Sequence, residues 1–179
     1  MDETCAVALP TATPTDTPFS FEALYRDARD DLHAYVLSIV RNRAVAEDVT
    51  ATAFERAYRR RALFRIRRGT PRAWLFGIAR NAALDELRRG GRSAQLFAEP
   101  ADGELPDAQD AAELSVRRTT VAAALESLEG SDRELIALRF FAGLSHGEIA
   151  RVLGTSESNA GTRLHRALNK LREVCHEDV

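Results

Sequence analysis

Wherever apolar residues are dense in this chain they recur at three- and four-residue intervals, and nowhere do β-branched residues alternate in twos between turn pairs. That single pattern restricts the chain to an all-α fold. One stripe runs through Leu24, Ala28, Leu32, Tyr35, Val36, Ile39 and Val40, a second through Val45, Val49, Ala53, Phe54 and Ala57, and a third through Trp74, Leu75, Ile78 and Ala82. After a gap the pattern resumes with Val121, Ala124, Leu125 and Leu128, then Leu135, Leu138 and Phe141, then Ile149, Val152 and Leu153, and finally Ala160, Leu164, Ala167, Leu168 and Leu171.

The gap divides the molecule. Ser93 to Glu113 holds six acids and no base, with two prolines and a glycine, the composition of a flexible connector. The expected organisation is a disordered Pro/Thr-rich tail over 1–18, a helical domain over 19–92, a linker over 93–112 and a second helical domain over 113–179. With 179 residues and 45% hydrophobic content the chain suits two small cores. Helix starts are expected at Ser20, at Thr70 with Pro71 in the first helical position, and at two capping boxes, Ser131 with Glu134 and Ser145 with Glu148. Asn42 reads as an interruption between the first two helices, and the second spans about Ala44 to Arg60. RRGGR is expected to stop the third near Arg89.

Net charge is −2, yet its distribution is lopsided. From Arg41 to Arg92 there are 14 arginines against five acids, which points to a polyanion-binding module beside a solvated acidic connector. The bland reading is an arginine-rich soluble face. Cys5 and Cys175 lie near opposite ends without a CxxC or Cys/His array, and no P-loop, GxSxG or HExxH motif occurs, so no metal, cofactor or catalytic role is expected. His33 and His146 read as surface or half-buried helix residues, and Trp74 as core. No apolar run approaches the ~18 residues of a membrane span, and MDETCAVALP lacks the basic start and long apolar stretch of a secretory signal; a cytoplasmic protein is expected, without membrane insertion.

The stretch GLSHGEIARVLGTSESNAGTRLHRALNKLRE concentrates the signals. A capping box opens one short helix, Gly154 stops it, and Ser156 caps a second whose inner face is Ala160, Leu164, Ala167, Leu168 and Leu171. The outer face shows Ser158, Thr162, His165, Arg166, Asn169 and Lys170. This is either a plain helical hairpin or a helix-turn-helix, in which the second helix enters the major groove and offers arginine to guanine and hydroxyls or imidazole to base edges and phosphates.

The segment LESLEGSDRELIALRFFAGLSHGEIARVLGTSESNAGTRLHRALNKLRE resembles region 4 of bacterial sigma factors, which binds the minus-35 promoter element. AEDVTATAFERAYRR resembles the region 2 helix that docks on core RNA polymerase, and PRAWLFGIARNAALDELRR resembles the helix that reads the minus-10 element. The tandem, from about Phe21 to Glu173, resembles the extracytoplasmic-function (ECF) group of the sigma-70 family.

By that resemblance Ser158, Asn159, Thr162, Arg163, His165, Arg166 and Lys170 are expected at the minus-35 element. Phe64, Arg65, Arg67, Arg68, Arg72, Arg80, Asn81 and Arg88 are expected at the minus-10 element, and Glu47, Asp48, Ala51, Thr52 and Glu55 at core polymerase. Phe64 is either an apolar wall for a flipped base or packing beneath its loop. The implied partners are core RNA polymerase, through its beta-prime clamp and beta flap, promoter DNA, and an anti-sigma factor of the kind that commonly holds this group inactive. Ala51 and Thr52 stand where the family usually has a Gln-Glu pair, and Gly161 where a basic residue is frequent. The rival reading is a stand-alone helix-turn-helix regulator that binds duplex DNA as a dimer, with the first half as its oligomerisation domain.

Overall fold

A computed structural model of the chain describes residues 19–64, 69–94, 124–125 and 127–177. The expectations for the tail, for Arg65, Arg67 and Arg68, for Val121 and for most of the connector lie outside these residues. Among the described residues the regular structure is entirely helical.

Helix α1, Phe21–Val40, begins where the Ser20 hydroxyl accepts the Ala23 N–H at 3.2 Å, as its sequence requires. It buries Ala28, Leu32, Tyr35, Val36, Leu37 and Val40. Its end is made by Arg41 in the left-handed conformation (φ 55°), whose N–H returns to the Leu37 carbonyl at 2.9 Å. Asn42 does more than interrupt. Its side chain accepts the Val45 N–H at 3.0 Å and so caps α2, Arg43–Arg60, folding the two helices into a hairpin with a two-residue joint.

The buried face of α2 is Ala46, Val49, Ala53, Phe54 and Ala57. Three alanines in five let α1 and α3 approach closely, since no long side chain holds the helices apart. After a single 3-10 turn, Arg61–Leu63, the chain reaches α3, Pro71–Ala94. Thr70 accepts the Ala73 N–H at 3.2 Å and Pro71 takes the first helical position, both as expected. The helix does not stop near Arg89 but runs through Gly90 and Gly91 to Ala94. Each glycine costs a helix only ~1 kcal/mol, which a nucleated helix of this length tolerates.

The second unit comprises α4, Gly130–Phe140, α5, His146–Leu153, and α6, Glu157–Glu177. Its start corrects the sequence reading: Glu129 occupies the N-cap of α4 without a side-chain bond, so Ser131 and Glu134 form no capping box. Leu135 and Leu138 are buried as expected, whereas Phe141 is exposed.

The two units pack on each other, α1 against α4 and α3 against α5, and their buried residues form one continuous cluster from Ala28 to Ala167. On one side Leu32, Tyr35, Val36, Leu75 and Phe76 are fully enclosed, and on the other Leu135, Leu138, Leu144 and Ile149. Each such side chain contributes about 1.5–3 kcal/mol relative to exposure. Among the described residues no helix is long and apolar enough to cross a membrane.

Candidate nucleic-acid and polymerase interface

Helices α5 and α6 form the helix-turn-helix that the caps encode. Ser145 accepts the Glu148 N–H while Glu148 accepts the Ser145 N–H at 2.9 Å, completing the capping box. Gly154 adopts the left-handed conformation (φ 68°), the Thr155 N–H returns to the Ala150 carbonyl, and the Ser156 hydroxyl accepts the Asn159 N–H at 3.2 Å. Ala160, Leu164 and Ala167 anchor α6, which fixes the direction of its other face.

That face is exposed at Ser158, Asn159, Thr162, His165 and Arg166, while Arg163 is half-buried. Asn159 donates to the Thr155 hydroxyl at 2.7 Å, and the Asn169 amide lies 3.3 Å from the His165 ring. Lys170 is engaged elsewhere: its ammonium donates to Asp132 on α4 at 2.6 Å, and that bond raises its proton affinity above the usual lysine value. It therefore joins α6 to α4 rather than standing with the outer residues. At Gly161 a Cβ would sit 3.7 Å from the His146 ring, so α5 covers the spot where the recognition helix carries no side chain.

On α2, Glu47, Asp48, Ala51 and Glu55 form an exposed stripe and Thr52 is half-buried beside it. Glu47 pairs with Arg43 and Glu55 with Arg59, one turn along in each case. Asp48 has no ion pair among the described residues and is the stripe's uncommitted charge.

The residues expected at the minus-10 element part company. Asn81 is exposed on α3, and Arg88 lies on the same helix 3.4 Å from Asp85. Phe64 is only 4% exposed and stacks edge-on with Phe19 and against Trp74, with ring centroids 5.2 and 5.4 Å away. It also lines an open cleft together with Gly69, Thr70, Pro71, Ser145, Glu148 and Arg151.

Arg72 and Arg80 are occupied by the second unit. Arg72 donates to the Ala142 carbonyl at 2.6 Å and to Phe141 at 3.0 Å, the open end of α4, and also to the Asp27 carbonyl and the Asp31 carboxylate of α1. Arg80 donates to Glu134 at 2.7 Å, and Tyr35 donates to the same carboxylate at 3.1 Å. Burial first, and then the Glu134 charge, push the Tyr35 hydroxyl well above its ordinary value, so it stays a donor.

Comparison with known proteins now decides the family. Residues 24–93 match Sigma-70 region 2, and residues 118–171 match Sigma-70, region 4. The chain is 32% identical to the ECF RNA polymerase sigma factor BldN of Streptomyces coelicolor, over 89% of this chain and 62% of BldN. It is 31% identical to the ECF sigma factor SigL of Mycobacterium tuberculosis, over 87% of this chain and 88% of that one. The chain belongs to the ECF sigma factors. It is thus a promoter-specificity subunit of RNA polymerase, and the stand-alone dimeric regulator is not favoured.

Solved structures agree. The sigma factor RpoE of Bartonella quintana, in complex with the anti-sigma factor NepR, superposes with a TM-score of 0.71 at 26% identity, covering 89% of this chain and 98% of that one. CnrH in complex with the cytosolic domain of CnrY gives 0.62 at 28% identity, covering 89% of each chain.

Within this sigma fold, Ser158, Asn159, Thr162, His165 and Arg166 share one exposed face of α6 and Glu47, Asp48, Ala51 and Glu55 one exposed stripe of α2, while Arg163 and Thr52 are half-buried and Lys170 is paired with Asp132. What sequence reasoning missed is the set that joins the regions: Tyr35, Glu134, Asp31, the α4 carbonyls, and the pairing of Thr70 with Glu148. Only one of these carried a warning in the sequence, because a tyrosine on an inward stripe must find a partner for its hydroxyl.

Proposed function

We propose that this ECF sigma factor divides its work among three surfaces. The α2 stripe around Asp48 docks on the beta-prime clamp of core polymerase, with region 4 meeting the beta flap. The α6 face from Ser158 to Arg166 reads the minus-35 duplex. Asn81, Arg72, Arg80 and Arg88, with the loop that follows Phe64, hold the minus-10 strand once its bases leave the stack. The observation that carries this reading is the helix-turn-helix with every cap satisfied, displaying hydroxyls, an amide, an imidazole and an arginine, in one chain with an exposed acidic docking helix.

Groove reading alone leaves bases stacked, and a few kcal/mol per step must be supplied to expose one. A subunit that grips both polymerase and two DNA elements supplies them by binding, without bond chemistry of its own. It acts where core polymerase is, in the cytoplasm, and an anti-sigma factor is its expected regulator, since RpoE is solved with the anti-sigma factor NepR and CnrH with the cytosolic domain of CnrY.

The test is reconstitution. Core polymerase from the source organism with this chain should give discrete run-off transcripts from a subset of genomic fragments, and neither component alone should do so. Transcripts that do not depend on the chain would refute the assignment.

A further inference from the structure

Along the outer side of α6, His165, Asn169 and Arg172 follow one another at successive turns and are joined by hydrogen bonds. The Arg172 guanidinium donates to the Asn169 Oδ1 at 2.8 Å, and the Asn169 Nδ2 lies 3.3 Å from the His165 Nε2. Counting protons fixes the roles. A guanidinium has donors and no acceptor, so only the oxygen side of the amide can face it. That turns the amide nitrogen toward His165. Because an amide NH2 only donates, the Nε2 that meets it is bare, and in the neutral ring the proton sits on Nδ1. The form that free histidine favours, with its proton on Nε2, would set two donors against each other.

His165 is exposed beside Thr162 and Arg166, and its Nδ1 has no partner among the described residues. The imidazole thus reaches a groove with one donor and no acceptor. In the major groove such an N–H is met by purine N7, guanine O6 or thymine O4 and opposed by the amino group of cytosine. The Thr162 hydroxyl imposes no such choice, because it rotates to donate or to accept.

We infer that Asn169 and Arg172 are positioning residues that lock His165 in the Nδ1–H form, making it a donor that selects an acceptor-bearing base in the minus-35 element. This inference rests on the reading of α6 proposed above. Lys170, which lies between the two in sequence, takes no part, since its ammonium is turned to Asp132 on α4. The relay acts on base preference, because neither Asn169 nor Arg172 has to touch a base for His165 to be set.

The first measurement uses the full chain with 15N-labelled histidine at about pH 8.5, about two units above the ordinary imidazole value, with His165 assigned by His165→Gln. Long-range nitrogen–proton spectra should show its Nδ1 protonated and its Nε2 bare. Asn169→Asp, whose carboxylate only accepts, should reverse the two nitrogens. Arg172→Met should give a mixture that includes the ordinary Nε2–H form, whereas Arg172→Lys, still purely a donor, should keep the parent pattern.

The second measurement, at the same pH, selects minus-35 sequences with core polymerase plus the chain, from a run-off fragment randomised across that element. The parent should favour guanine or thymine over cytosine by about 10-fold at one base pair. Asn169→Asp should move that preference toward cytosine, and Arg172→Met should reduce it to about threefold or less, with the other pairs unchanged. Arg172→Lys should retain it. A His165 protonated at Nε2 in the parent, or a base preference that Asn169→Asp and Arg172→Met both leave intact, would overturn the relay alone. A parent that selects no minus-35 sequence would refute the reading of α6, and the inference with it.

Discussion

Helices α3 and α6 both carry arginines toward proposed DNA surfaces, but their cations face different things. On α6, Arg166 is exposed beside Thr162 and His165, and the helix is held from behind by Ala160, Leu164 and Ala167. On α3, Arg72 and Arg80 reach across to the other region and meet carbonyls and a carboxylate. The same residue type is a ready contact in one place and a closed joint in the other. What decides is the neighbour: α6 faces solvent, whereas α3 lies where α4 and α5 pack.

The comparison is broken or sharpened by substitution, and the largest effect is expected away from both helices. With the α2 stripe exposed, Asp48→Arg should weaken association with core polymerase by ~2 kcal/mol or more, with helical content unchanged by circular dichroism. Glu134→Gln should leave that affinity unaltered. Co-purification of Asp48→Arg at the parent's level would remove α2 from the interface.

Next come the two arginines themselves. Arg72→Ala leaves the Phe141 and Ala142 carbonyls and the Asp31 carboxylate without their donor, and should cost about 2 kcal/mol in urea unfolding. Arg166→Ala should stay within ~0.5 kcal/mol of the parent in the same assay yet lose ~1–3 kcal/mol of minus-35 binding, at one position if it pairs with a base and uniformly if it meets phosphate. Equal stability of the two variants would erase the contrast.

The smallest effect is in pH. Burial alone would raise the Glu148 carboxyl, but the bonds from Thr70 and Ser145 and the charge of Arg151 outweigh it and hold the group below its ordinary value. A lowered folded value means its contribution is complete above the ordinary carboxylate range and lost as pH falls through the lowered value. The acid limb of the stability profile should therefore be shallower in Glu148→Gln, by a few tenths of a kcal/mol, than in the parent. Superimposable acid limbs would show that the Thr70 contact contributes nothing.

How much of this was legible in the sequence follows from distance along the chain. The turn between α5 and α6 was readable because each signal acts within four residues: Ser145 on Glu148, Gly154 on the preceding carbonyls, Ser156 on Asn159. Asn42 was legible as the break between two helices but not as a cap, because a cap and an interruption look alike until the next helix is seen to start on it. Glu134 sat in a convincing capping-box pattern with Ser131, yet Tyr35, 99 positions away, and Arg80, 54 away, offered it better partners. Local rules cannot weigh such bonds. Phe64 shows the same limit, since its burial depends on Phe19 and Trp74, which only the fold brings to it.

The account turns on two DNA surfaces that do different work, and footprinting on one promoter fragment, chosen from the run-off fragments, reads both. With the chain alone at high concentration, nuclease protection should appear over the minus-35 element while minus-10 thymines stay unreactive to permanganate. Adding core polymerase should extend protection and make those thymines reactive, and Asn81→Ala, at an exposed position on α3, should reduce that reactivity without loss of minus-35 protection. Protection centred on the minus-10 element by the chain alone, or strand opening that Asn81→Ala leaves intact, would contradict the division of labour between α3 and α6.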